Sequence, residues 1–169
     1  MNIRHLGWAA LLGVPLAIWA VDKSPDASFY KDAAEGGMAE VEQGDLAQDK
    51  GQSQAVKDFG SMMVRDHSVA NDKLKAIAAR KGIDWPTAPS ASETATKAKL
   101  VLLSGDTFDK SYIRGMVKDH EDDIKAFEKE AQTGQDPDAK AFAVATLPTL
   151  REHLKKIRSI ATAAGISAG

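Results

Sequence analysis

The feature that most narrows the fold is a helical apolar period that occurs twice. Val56, Phe59, Met63, His67, Ala70, Leu74 and Ile77 advance in steps of 3-4-4-3-4-3, and Ala139, Phe142, Thr146, Leu150, His153, Ile157 and Ile160 repeat those steps at an offset of 83 residues. Such spacing lines one face of an α-helix and does not fit the alternation of a strand. The same offset relates Tyr30 to Ile113, Val41 to Ile124, Gly51 to Gly134 and Gly82 to Gly165. The chain therefore reads as a duplicated helical hairpin.

Start and stop signals bound four long helices. The first spans about 26–50, with Ser24, Asp26 or Ser28 to cap it and Gly51 at its end. The second spans about 53–81, from Ser53 to Gly82, and the third about 106–133, from Asp106 to Gly134. Asp136 caps the fourth, about 137–164, with Pro137 in its first position and Gly165 after it. At 1.5 Å per residue each is roughly 40 Å long, and four matched helices imply an all-α bundle over residues 26–165. The connection at about 83–105 carries IDWPTAPSAS and then a short apolar stretch, TKAKLVLLS. It is far longer than the roughly two to eight residues of a bundle loop. A long crossover between the second and third long helices is the ferritin-like arrangement, in which those two run parallel. An up-down bundle with a decorated loop is the alternative.

The N-terminus is an address. Arg4 and His5 precede an uncharged run, WAALLGVPLAIWAV, from Trp8 to Val21. About fourteen residues make roughly 21 Å of helix, short of the roughly 30 Å hydrocarbon core, and Pro15 weakens it further. Residues 1–20 are thus expected to be a signal peptide, with cleavage after Ala20. An uncleaved N-terminal anchor is the alternative, with membrane contact through residues 1–21 alone. Either way the expected location is exported, periplasmic or extracellular. With 22 Lys+Arg against 24 Asp+Glu, spread along the chain, there is no electrostatic footprint for nucleic acid. No cysteine is present, which removes disulfides, thiol nucleophiles and Cys zinc sites.

Outside the export segment the histidines fall one each on the second, third and fourth long helices. The third-helix seam is Ile113, Val117, His120, Ile124, Phe127 and Ala131, so His67, His120 and His153 all occupy core positions. Each lies about 14 to 16 residues into its helix, which sets all three near mid-height. The first helix offers Gly37 at the position matching His120, flanked by Met38 and Glu40. Met-Val-x-Asp-His occurs at 63–67 and again at 116–120, putting Met63 and Met116 four residues before a histidine. A His/Met cluster suits copper, and three histidines alone suit zinc. The plainer reading makes each histidine a polar core residue bonded to a carboxylate or to another histidine. Pro148 is expected to kink or bulge the fourth helix, and Gly36, Gly37, Gly60 and Gly115 either bring helices close or leave space for a bound group. Arg151 to Lys156 and the acids Glu121, Asp122 and Asp123 read as solvated faces, and Trp85 as an anchor for the connection.

The segments GGMAEVEQGDLAQDK (36–50), VKDFGSMMVRDH (56–67), GMVKDHEDDIKAFEKEA (115–131) and FAVATLPTLREHLKKI (142–157) together resemble an exported bacterial family, a domain of unknown function often labelled "outer membrane protein" and assigned to the ferritin-like bundles. The resemblance covers about residues 26–164 and implies a periplasmic or extracellular four-helix bundle; it implies no activity. Di-iron members of that fold use Glu-x-x-His, but here Val64, Val117 and Leu150 stand three residues before the histidines. Di-iron chemistry is therefore disfavoured.

No catalytic constellation is complete. Ser68 lies within a helix rather than at a G-x-S-x-G elbow, and the chain has no H-E-x-x-H or P-loop. The leading expectation is a non-catalytic envelope protein acting in stress tolerance or as an interaction module. The alternative is a periplasmic copper- or zinc-binding protein using His67, His120 and His153, with Glu40, Met38, Met63 or Met116 assisting. A redox enzyme on that site is the third reading.

Overall fold

The computed structural model describes residues 24–167. The signal segment expected at 1–20 lies outside them. Five helices follow in order: α1 (Ala27–Lys50), α2 (Gln54–Lys81), α3 (Ala91–Val101), α4 (Gly105–Thr133) and α5 (Pro137–Ala163). No strand occurs among the described residues, and no helix among them is long and apolar enough to cross a membrane.

Local chemistry sets the ends. Ser53 Oγ accepts the Val56 amide at the start of α2, and Asp136 accepts the Asp138 amide at the start of α5. Gly82, in the left-handed conformation at φ 65°, closes α2. Two expected caps take other roles. Asp26 occupies the cap position of α1 but makes no cap bond there, and α4 begins at Gly105 behind Ser104 rather than at Asp106. α5 runs unbroken through Pro148, which lies on an exposed face, so the expected kink does not interrupt the helix.

α1 packs on α2, and α4 on α5, as two antiparallel hairpins. Two carboxylates then lock the hairpins to each other. Asp109, near the start of α4, accepts the Gln52 and Ser53 amides of the α1–α2 turn, each at 2.8 Å. Asp26, at the start of α1, accepts the Gln135 and Asp136 amides of the α4–α5 turn at 2.7 and 2.6 Å. Asp26 and Asp109 are 83 residues apart, as are the amides they hold, so the duplication is a pseudo-twofold relation in space. The helix ends repeat it: Ile83 donates to Ala78, and Ile166 to Ala161. These clasps put the start of α2 beside the start of α4, so the two run parallel.

The connection climbs between the ends. Ile83 and Trp85 pack on the apolar cluster at the Asp136 end, where Lys81 also bridges Asp136 and Asp138 at 2.9 and 3.0 Å. α3 then follows the second half of α1, with Lys97 on Glu42 at 2.9 Å and Lys50 donating to the Val101 carbonyl. Its Leu100 is buried in the cluster at the Asp109 end. The crossover bundle is therefore the observed architecture, and the up-down alternative is not. Close approach of α1 to α2 depends on Gly44 and Gly60, where a Cβ on either would lie 2.7 or 2.6 Å from the other's carbonyl oxygen.

Each clasp joins an acid to two backbone amides, bonds worth about 1.5–3 kcal/mol apiece when one partner is charged. Asp109→Ala should lower the unfolding free energy by about 3 kcal/mol, measured by urea denaturation. Asp26→Ala, at the other end of the bundle, should add its own loss to within about 0.5 kcal/mol in the double variant.

Candidate metal centre

The parallel register brings the three histidines level. His67 from α2, His120 from α4 and His153 from α5 have ring centroids 5.3 to 5.7 Å apart, and one nitrogen of each lies within 4.8 Å of the other two. All three are buried, His120 completely. They form a polar layer between two apolar clusters, one around Phe59, Met63 and Tyr112, the other around Tyr30, Leu74 and Leu147. Phe59 covers the layer, its ring edge-on to His120 and His153 at 6.1 and 6.4 Å.

The outer nitrogen of each ring meets an oxygen. His67 Nδ1 lies 2.8 Å from Glu40 Oε2, His120 Nδ1 lies 2.9 Å from the Met116 carbonyl, and His153 Nε2 lies 3.0 Å from Asp66 Oδ2. A carbonyl or ionised carboxylate oxygen only accepts, so His120 and His153 donate their single protons outward, and His67 does the same when Glu40 is ionised. The inner nitrogens then carry lone pairs. His120 Nε2 and His153 Nδ1 face each other at 3.3 Å, and His67 Nε2 is buried without a partner. Three converging lone pairs, each ring oriented by an oxygen behind it, is the construction that holds a metal ion.

Burial keeps the rings neutral. It pulls His67 and His120 down to about 4, against the pull of Asp66 on the first and Glu40 on the second. His153 is lowered for the same reason, although its bond to Asp66 works the other way. Glu40 is the buried acid behind the site. Desolvation raises its carboxyl to about 7, with His120 opposing and Asp119 and Glu93 adding to the rise. Asp66 stays ionised, lowered first by its bond to Arg65 and also by His153.

Met63 and Met116 lie in the apolar cluster around Phe59, and Met116 serves His120 through its carbonyl rather than its sulfur. Met38 is half-buried and lines a groove with Ser68 and Pro89, on the face of α1 turned about 200° from Glu40. Asp123, expected on a solvated face, is instead half-buried, and burial together with Glu40 and Asp119 raises its carboxyl well above the ordinary range. Its neighbours do face outward, with Glu121 on Arg158 and Asp122 on Lys118 and Lys125. The roles of Asp66 and Asp123 escaped the sequence reading. The offset of 83 could have found Asp123, since it is the counterpart of Glu40.

The two kinds of group oppose each other in acid. A histidine lowered to about 4 from its unfolded value of about 6.5 contributes stability present above 6.5 and lost as pH falls toward 4. Glu40, raised to about 7, favours the folded state at low pH, an effect lost as pH rises through 7. Glu40→Gln removes only the second contribution. The metal-free variant should therefore lose more stability than the parent between pH 6.5 and 4.5, measured by denaturant unfolding across that range.

The family described as "Domain of unknown function (DUF4142)" matches residues 19–160. No curated protein matches the chain. Among solved structures, the crystal structure of a DUF305 fragment from Deinococcus radiodurans aligns with a TM-score of 0.70, at 12% identity, over 80% of this chain and 93% of that one. At that identity the likeness is one of fold. The match to residues 19–160 spans most of the chain, and the chain belongs to the DUF4142 family.

Proposed function

We propose that this protein is an exported, non-catalytic metal-holding protein whose bundle core takes one transition-metal ion on His67, His120 and His153. The observation that carries the reading is three buried rings with an oxygen behind each, so that outward donation leaves three nitrogen lone pairs facing inward. In a merely polar core the buried Nε2 of His67 would have a hydrogen-bond partner, and it has none. Three neutral imidazoles without thioether or thiolate suit zinc, with copper(II) as the competitor in the same ligand class. Bonds of about 2.0–2.1 Å at tetrahedral angles need nitrogens about 3.4 Å apart. The His120–His153 pair is there at 3.3 Å, and a ring shift of about 1 Å closes the rest of a triangle within 4.8 Å. Glu40 behind His67 is the buried acid whose charge a divalent ion on the rings would offset, whereas Asp66 behind His153 is already paired with Arg65.

Export belongs to the same proposal and rests on Arg4, His5 and the uncharged run from Trp8 to Val21. It makes the ion one captured outside the cytoplasm.

The test is metal retention by the untagged chain after loading with zinc or copper(II) and desalting, read by mass spectrometry. About one ion per chain is expected in the parent and none in a variant with all three histidines changed to Ala that keeps its helical circular dichroism. Glu40→Gln should weaken zinc binding by about 10- to 100-fold, the usual cost of removing an outer-shell partner. A parent that retains neither metal would return the histidines to the role of polar core residues.

A further inference from the structure

The pseudo-twofold relation has a counterpart for every wall of the histidine site. His120 corresponds to Gly37, His153 to Ala70, His67 to Leu150, Met116 to Ala33, Phe59 to Phe142 and Glu40 to Asp123, each pair 83 residues apart. The residues on the second side of these pairs all line one cavity. Two imidazoles and a thioether on one side of the axis are replaced by two methyls and a hydrogen on the other. The missing side-chain bulk is the cavity.

Its volume is about 20 Å³, which accommodates one water-sized molecule. It shares a wall with the histidine site, since Glu40 and His67 line it as well. Both are more than nine-tenths buried, and each presents an atom without a hydrogen-bond partner, Oε1 of Glu40 and Nε2 of His67. The floor is buried, whereas Ala33, Ala70, Asn71, Asp123 and Thr146 are half-buried, so the cavity leads inward from the surface. Gly37 keeps the mouth as it is, because a Cβ there would collide with the Asn71 amide. A closed structural metal site has no need of such an approach; an ion with three protein nitrogens has a fourth position to fill.

We propose that this cavity seats the exogenous fourth ligand of the metal, a water molecule exchangeable for a small anion of one or two non-hydrogen atoms. The proposal rests on the metal reading above and adds to it an open, size-limited coordination position. Glu40 and Asp123 stand on either side of the seat as acceptors for a bound water's protons, and the half-buried rim admits small species while excluding ring-sized ones.

Cobalt(II) is the probe, because its visible absorption reports coordination. The untagged chain is loaded with cobalt, its content measured by mass spectrometry, and the spectrum titrated with cyanide and, separately, with imidazole. The expected result is about one cobalt per chain, a band shift that saturates with cyanide while the cobalt stays bound, and no shift with imidazole. Ala70→Leu, and independently Ala33→Leu from the opposite wall, should retain cobalt as the parent does and bind cyanide at least tenfold more weakly. Retained cobalt whose spectrum ignores cyanide, responds equally to imidazole, or responds undiminished in both filled variants would overturn the cavity's role and leave the metal site standing. Displacement of the cobalt by cyanide would also overturn it. A parent that holds no cobalt, zinc or copper would overturn both.

Discussion

Each hairpin closes the other. A carboxylate at the start of α1 holds the amides of the α4–α5 turn, and its counterpart near the start of α4 holds those of the α1–α2 turn. These four bonds satisfy turn amides that would otherwise face a helix end unpaired. They also fix the axial register of two hairpins whose apolar faces alone would tolerate sliding by a turn. A slip of one helical turn displaces side chains by about 5.4 Å. That is as large as the spacing of the histidine rings, so the site exists only in the register that Asp26 and Asp109 impose.

That register puts a polar layer where a bundle would ordinarily bury leucine. The layer interrupts the apolar core, leaving one cluster around Phe59 and Tyr112 and another around Tyr30 and Leu74. Replacing buried polar groups by well-packed apolar ones commonly stabilises a fold. Here the arrangement goes further toward specificity than packing requires. Every ring is held by an outer oxygen, two of the three oxygens belong to acids, and Glu40 reaches His67 at 2.8 Å while its second oxygen stands 3.5 Å from His120. Burial opposes the charge on both acid and base, which keeps the rings neutral and able to bind a cation rather than a proton.

The architecture was legible because its signals are local. Ser53, Asp136, Gly51, Gly82 and Gly134 mark helix ends by backbone chemistry that does not depend on the rest of the fold, and counting residues from those ends set the histidines at one height. The position of the thioethers depends on more than this count. Four residues keep a side chain on its face but move it about 6 Å along the axis, and helical side chains lean toward the N-terminus. Met63 and Met116 both belong to the apolar cluster of Phe59, which itself borders the ring layer. Asp66 illustrates the opposite limit. Adjacent in sequence to His67, it projects about 100° around α2 and meets His153 on another helix, a pairing that depends on how α2 sits against α5.

Duplication explains why a site and a cavity lie side by side. Two equivalent hairpins related by a pseudo-twofold axis begin with equivalent mid-bundle positions, and donors on both sides would make a pair of adjoining cation sites with strong mutual repulsion. That conflict is absent here, because one side of the axis carries His67 of the first hairpin with His120 and His153 of the second, and the other side carries their counterparts Leu150, Gly37 and Ala70. The acids persist on both sides as Glu40 and Asp123, and Glu40 raises the affinity of Asp123 for protons. A buried carboxylate beside a half-buried one is costly unless positive charge is nearby. A single divalent ion on the three histidines would supply it to Glu40 directly and to Asp123 across a cavity of one molecule's width, so the side of the axis that lacks imidazoles would depend electrostatically on the side that has them.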